Sequence, residues 1–133
     1  MTTLTEKQRE FLKNPYFATA TTLREDGSPH NTVVWVDVDD DGLFYNTVTT
    51  RAKGRHLQRD PRTAVTVIDP QDPFKWITVT GTAELSTEDG NATIDRLAQK
   101  YTGRETYPWH KPDEQRVTVR VRPEKIDATG LDE

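Results

Sequence analysis

Cysteine is absent from the whole chain. Its absence excludes a disulfide scaffold, a thiol nucleophile, an iron–sulfur cluster and cysteine-ligated zinc, and it fits a reducing cytoplasm. Long apolar runs are missing as well. The longest, around Thr32 to Val36, falls far short of the ~20 residues that a membrane-spanning helix needs, so no membrane contact is expected. The opening Met1-Thr2-Thr3-Leu4-Thr5-Glu6 lacks the basic start and apolar centre of a secretory signal. A cytoplasmic location is therefore the expectation. Glycine-rich phosphate loops of the Walker or Rossmann kind are missing too, as is a serine in a nucleophile elbow.

What is present is polar: hydrophobic residues make up 32% and the mean hydropathy is −0.85. A chain of 133 residues suits one domain, spanning 1–133, around one core. Lysine and arginine number 18 against 22 acidic residues, for a net charge of −4 and a pI near 5.4. No nucleic-acid partner is expected of such a chain. The net charge hides a local reversal. From Arg51 to Arg62, five cations (Arg51, Lys53, Arg55, Arg59 and Arg62) stand against the single acid Asp60. A basic island in an acidic protein suits one small anion better than a polymer.

Thr5-Glu6-Lys7-Gln8 has capping-box spacing and predicts a short helix that Asn14-Pro15 ends. Strands are predicted at Tyr16–Leu23, His30–Val38 and Leu43–Val48, joined by turns at Glu25-Asp26-Gly27 and Asp40-Asp41-Gly42. Ala52, Arg55, His56 and Arg59 lie at helical spacing before Asp60-Pro61. Thr63–Ile68 and Lys75–Leu85 read as further strands, the second bent or bulged at Gly81. Ile94, Leu97, Ala98 and Tyr101 mark the apolar face of another helix, and a loop from Thr102 to Asp113 follows. Val117, Val119 and Val121 alternate with Arg116, Thr118, Arg120 and Arg122 as a half-buried last strand. Six strands with inserted helices predict a mainly β fold, a six-stranded antiparallel barrel.

Asp37-Val38-Asp39-Asp40-Asp41-Gly42 imitates the start of a calcium loop, but its twelfth position is Val48 and its flanks are strands. A solvated hairpin tip is the better reading. His30, His56 and His110 have no metal-ligand spacing, so no metal is expected. The basic island is the sharper signal. Thr49-Thr50-Arg51-Ala52-Lys53 falls where a strand ends and a helix begins, and there free N–H groups and the helix dipole favour an anion. Two hydroxyls, a guanidinium fork and an ammonium would complete a phosphate site. A solvated helix whose cations balance nearby acids is the competing reading. Trp35, Trp76 and Trp109 suit either core packing or contact with a flat ring.

Ala18-Thr19-Ala20-Thr21-Thr22-Leu23 with Asp26-Gly27-Ser28-Pro29-His30 resembles the opening of the flavin/deazaflavin oxidoreductase superfamily, the pyridoxamine-phosphate-oxidase-like split β-barrels. Arg51-Ala52-Lys53, Leu57 and Asp60-Pro61-Arg62 resemble its central motif, and Lys75 to Ala83 its long strand. The resemblance runs from about Phe17 to Leu85, with the final strand also in place. It implies a homodimer with two cofactor sites at the subunit interface, and within the most similar branch the cofactor is the deazaflavin coenzyme F420. Arg51 and Lys53 would then hold the coenzyme's phosphate, with Thr49 and Thr50 adding donors. Val34, Trp35 and Val36 would lie near the ring system, with Asn46 and Thr47 on the neighbouring strand. Lys75, Trp76 and Ile77 would approach the same cofactor, from either subunit. His56 stands where relatives often carry Asn, and no arginine/histidine motif of true pyridoxamine-phosphate oxidases follows the last strand.

The implied activity is hydride transfer from reduced F420 to a small conjugated acceptor, the difficult chemistry being the cofactor's. No catalytic side chain is assigned. Tyr107, Trp109 and His110 are candidates to shape the acceptor pocket. FMN in the same fold is one alternative, and a non-catalytic carrier of a flavin, deazaflavin or tetrapyrrole is another. A dimer is also expected because Phe17, Val33, Trp35, Ile77, Val79 and Val119 look too large together for one small barrel interior.

Overall fold

Alternation of buried and less buried residues along β-segments such as 18–23, 62–69 and 76–83 draws the chain into one antiparallel sheet. In the computed structural model, which describes residues 2–131, the elements are α1 (Glu6–Leu12), β1 (Ala18–Leu23), β2 (Pro29–Val34), β3 (Asp37–Asp39), β4 (Gly42–Val48), α2 (Ala52–Arg59), β5 (Arg62–Asp69), β6 (Asp72–Ser86), α3 (Gly90–Thr102) and β7 (Arg116–Thr129). Strand order is β2-β1-β5-β6-β7-β4-β3. No helix among the described residues is long and apolar enough to cross a membrane.

The sheet has seven strands and is open, which corrects the six-stranded barrel. The predicted strand His30–Val38 breaks at Trp35-Val36, and its halves form the two edges of the sheet. Side chains of α3 cause the break. Val36 N–H donates to Tyr101 Oη at 3.1 Å, and Val36 O accepts from Lys100 Nζ at 2.5 Å. The backbone polar groups of Val36 are thus satisfied by side chains, and the residue needs no strand neighbour.

α1 starts as its capping box predicts: Thr5 Oγ1 accepts from Gln8 N–H, and Gln8 Oε1 accepts from Thr5 N–H. Gly81 marks a register shift between β6 and β7, and a Cβ there would overlap the Arg122 carbonyl. The main core joins Ala20, Val65, Val67, Ile77, Val79 and Val119 to Leu12, Leu43 and Tyr45. β4 is buried on both faces, because Phe44 packs with Ile94 and Leu97 of α3 in a second cluster.

Ile77, Val79 and Val119 therefore fit inside one chain, contrary to the volume expectation. Phe17 and Val33 do not: they remain 65% and 70% exposed. They belong to a face with few charges. Val33, Thr19, Thr66 and Thr78 line up across β2, β1, β5 and β6, and Thr66 and Thr78 share a 2.8 Å hydroxyl bond.

Candidate functional site

A cavity of about 220 Å³ opens where the ends of β1 and β2 meet β4, the start of α2, and α3. α2 comes close to β4 because residue 54 is glycine. A Cβ there would meet the Val48 carbonyl oxygen and the Thr49 backbone. That close approach sets Arg51, the N-cap of α2, and Lys53, in its first turn, against the cavity.

Three cations line it: Arg51, Lys53 and Arg116. Arg116 is only 6% exposed. Its Nη1 donates to Asn46 Oδ1 at 3.3 Å, its guanidinium lies 4.7 Å from the centre of the Tyr107 ring, and its Nη2 is buried with no partner. Asn46 is fixed in turn by donating to Gly90 O and Thr93 Oγ1, both at 2.8 Å. Among the described residues, no carboxylate lies within ion-pair distance of Lys53 or Arg116. Burial, and then the charges of Arg51 and Arg116, lower the Lys53 pKa below the ordinary lysine value. Arg51 alone has an acid, Glu114, at 3.1 Å. Thr47 Oγ1, also at the cavity wall, is buried without a partner. A concentration of positive charge with orphaned donors has the chemistry that a small anion would satisfy.

A second wall, which Tyr107 brings against Arg116, is aromatic and apolar. Trp35 stacks on Tyr101 with ring centres 5.4 Å apart and planes 10° from parallel. Tyr107 meets Trp35 edge-on at 6.3 Å. Ile94 and Leu97 lie on the α3 side, and Phe17 and Val33 reach the cavity from β1 and β2. Together the two walls can take a ligand with a flat apolar part and an anionic end.

Of the predicted site residues, the structure brings Arg51, Lys53, Val34, Trp35, Asn46, Thr47 and Tyr107 to this cavity. Thr49 and Thr50 sit just before α2, and their carbonyls accept from Gln58 Nε2 and Arg55 Nη1. Val36 and Ile77 are wholly buried in the main core. Lys75 is exposed and Trp76 half-buried on β6, outside the cavity. Trp109 is exposed against the Tyr107 ring, and His110 Nε2 is 2.7 Å from Asp95 Oδ1.

Arg116 is the residue that sequence reasoning missed. The alternation along the last strand assigns it to solvent, but β7 begins buried on both faces, and Arg116 faces the cavity. Phe17, Val33, Ile94 and Leu97 were missed as well; Ile94 and Leu97 carry only the signal of a helix core face.

His56 is away from the cavity. Its Nδ1 is 2.8 Å from Thr22 Oγ1, and its ring meets His30 edge-on at 5.1 Å. Desolvation, His30, Arg59, Arg24 and Arg55 all hold its pKa below the ordinary value of 6.5. The unfolded chain therefore binds this proton at a higher pH than the folded chain does. Stability present above about pH 6.5 is lost as the pH falls through that value towards the lower folded-state pKa. The urea midpoint is expected to drop between pH 7.5 and pH 5.5, and to drop less in His56→Gln. An equal drop in both proteins would remove His56 as the cause.

A profile of the family described as pyridoxamine 5'-phosphate oxidase matches residues 4–130. The chain belongs to this family. Among curated relatives, the F420H(2)-dependent biliverdin reductase of Mycobacterium tuberculosis (strain CDC 1551 / Oshkosh) is 28% identical over 128 residues, which is 94% of this chain and 88% of that protein. A solved structure described as an F420 reductase superposes with a TM-score of 0.79 at 29% identity, covering 93% of this chain and 98% of its own. The conserved hypothetical protein Rv2991 of Mycobacterium tuberculosis shares the fold, with a TM-score of 0.74 at 22% identity over 96% of this chain and 85% of that one. Proteins similar to this chain thus include one named an F420H(2)-dependent biliverdin reductase and one described as an F420 reductase, and this supports an oxidoreductase at the level of the family.

Proposed function

We propose that this pyridoxamine 5'-phosphate oxidase family member is an F420-dependent reductase acting on a small conjugated organic acceptor. The observation that carries the reading is Arg116, a buried guanidinium with a free Nη2, lining one cavity with Lys53, and among the described residues neither has an acid within ion-pair distance. The residues present fit the coenzyme: a phosphate suits the cations, and a flat ring suits Trp35, Tyr107 and Val34. Lys53 and Arg116 would hold the phosphate, Arg51 would stand at its rim, and Trp35 would fix the ring plane through its stack on Tyr101.

When bound, reduced deazaflavin supplies a hydride; with one proton from solvent, the acceptor gains two electrons and two hydrogens. The apolar wall serves that exchange by excluding water from the ring. Biliverdin is the first acceptor to try, because a relative at 28% identity is named for it. Oxidised F420 added to the protein is expected to bind saturably, and reduced F420 with protein is expected to bleach biliverdin. Retention of FMN with no F420 binding would overturn the reading in favour of the FMN alternative. F420 binding without turnover on biliverdin, quinones or enones would favour a carrier.

The same reading includes a homodimer. A cavity of about 220 Å³ is smaller than the ~300 Å³ at which ligand pockets begin, so one chain encloses only part of a cofactor. Phe17 and Val33, exposed at its rim, continue into the threonine-rich face of β2-β1-β5-β6. A second copy laid on that face would cover both residues and complete the site. Sedimentation is expected to give twice the 15.2 kDa chain mass, and Val33→Glu to give monomer with weakened F420 binding. A wild-type monomer at micromolar concentration would rule out the shared site.

A further inference from the structure

We propose that Thr93 is a positioning residue for the cavity: through the Asn46 amide it fixes the Arg116 guanidinium, and its hydroxyl thereby sets how tightly an anionic ligand is held. The inference rests on the cofactor reading above and goes past it to a residue of α3 that does not itself line the cavity. Thr93 is buried, as are Asn46, Arg116 and Thr118, which join it in one hydrogen-bonded chain.

One atom fixes the direction of that chain. The Gly90 carbonyl can only accept, so the Asn46 atom 2.8 Å from it is the amide nitrogen. The other amide hydrogen goes to Thr93 Oγ1, also at 2.8 Å. Both donors of Asn46 are then committed to α3, and its Oδ1 is left to accept from Arg116 Nη1 at 3.3 Å. Thr93 Oγ1 passes its own hydrogen to Thr118 Oγ1 at 2.7 Å or to Gly90 O at 3.2 Å. The helix can start this close to β7 because residue 90 is glycine: a Cβ there would overlap the Arg116 carbonyl.

Buried polar networks also serve simply to tie a helix to a sheet. Charge argues for more here. Arg120, four residues further along β7, meets both Asp39 carboxylate oxygens at 2.9 Å and Asp89 Oδ2 at 3.3 Å. Arg116 is the more buried of the two, yet the group set against its Nη1 is a neutral amide. An ion pair holds a guanidinium by its own attraction, whereas an amide does so only when its orientation is enforced from behind. Thr93 and Gly90 supply that enforcement, and Arg116 keeps its charge for the cavity it lines. Without the Thr93 hydroxyl, one Asn46 donor is buried without a partner. An amide that turns to satisfy it takes Oδ1 away from Arg116.

The test is titration of oxidised F420 and, in parallel, of inorganic phosphate. The proteins are wild type, Thr93→Val, Thr93→Ser, Arg116→Ala and the double variant Thr93→Val/Arg116→Ala. Thr93→Val removes the hydroxyl and is expected to weaken F420 binding about threefold to tenfold, the effect of one hydrogen bond. Thr93→Ser returns the hydroxyl and should stay within about twofold of wild type. In the Arg116→Ala background Thr93→Val should cost nothing further, because its effect passes through a group no longer there. An equal loss in both backgrounds, no loss at all, or a Thr93→Ser variant as weak as Thr93→Val would overturn the assignment, while F420 binding by wild type would leave the cofactor reading untouched. If Thr93→Val does not fold, Asn46→Ala carries the same cycle one bond nearer to Arg116. Phosphate binding in the expected pattern, with no F420 binding by any of the proteins, would overturn the cofactor reading and uphold the role of Thr93. No binding of either probe to wild type would overturn both.

Discussion

Lys53→Ala is expected to raise the dissociation constant for oxidised F420 about tenfold to a hundredfold, the effect of losing a charge-assisted contact of about 1.5–3 kcal/mol. The magnitude follows from position. Lys53 is partly desolvated and already repelled by Arg51 and Arg116, so the site gains more from a bound anion than a solvated lysine would. Arg116→Ala is expected to cost at least as much in binding, because a buried guanidinium with a free Nη2 is lost. It also empties the space between Asn46 and Tyr107, so its urea midpoint should fall, whereas that of Lys53→Ala should hardly move. Arg51→Ala should cost less than either, since its charge is already matched by Glu114 at the exposed rim. Affinity should fall with added salt in wild type and less steeply in Lys53→Ala. Unchanged F420 affinity in both Lys53→Ala and Arg116→Ala would eliminate the phosphate seat.

Gly54→Ala should destabilise the fold by about 3 kcal/mol, the upper range for forcing volume into a packed contact. The sign is the informative part. In an exposed helix the same exchange gains about 1 kcal/mol. Here the added methyl would meet the Val48 carbonyl oxygen, an atom of β4 that cannot turn aside as a side chain would. Relief requires α2 to lift from the sheet, and that movement carries Arg51 and Lys53 away from the cavity. Urea unfolding and F420 titration on one sample separate the two consequences. A variant as stable as wild type would show that α2 does not sit this close to β4.

Local signals accounted for much of the framework. Thr5 and Gln8 form the capping box their spacing predicts, Gly27 and Gly42 take the positive φ that their hairpin turns require, and Gly81 sits at the bulge. The break at Trp35-Val36 was not legible, because Thr32 to Val38 is an unbroken run of strong strand formers apart from Asp37. What breaks it is a hydroxyl and an ammonium on Tyr101 and Lys100, about as far away in sequence as half the chain. The basic island pointed to two of the three cations that line the cavity, Arg51 and Lys53, from charge alone. The third, Arg116, was illegible because period-two alternation assumes a sheet with one wet face, and α3 covers both Arg116 and Phe44.

Strand order has a consequence for synthesis. β7, the last of these seven strands to leave the ribosome, pairs with β6 on one side and β4 on the other. Until it arrives, β2-β1-β5-β6 and β4-β3 are separate pieces, each with a bare hydrogen-bonding edge open to another nascent chain. Arg116 arrives with that strand, so the three cations of the cavity come together in the same event that joins the two halves of the sheet.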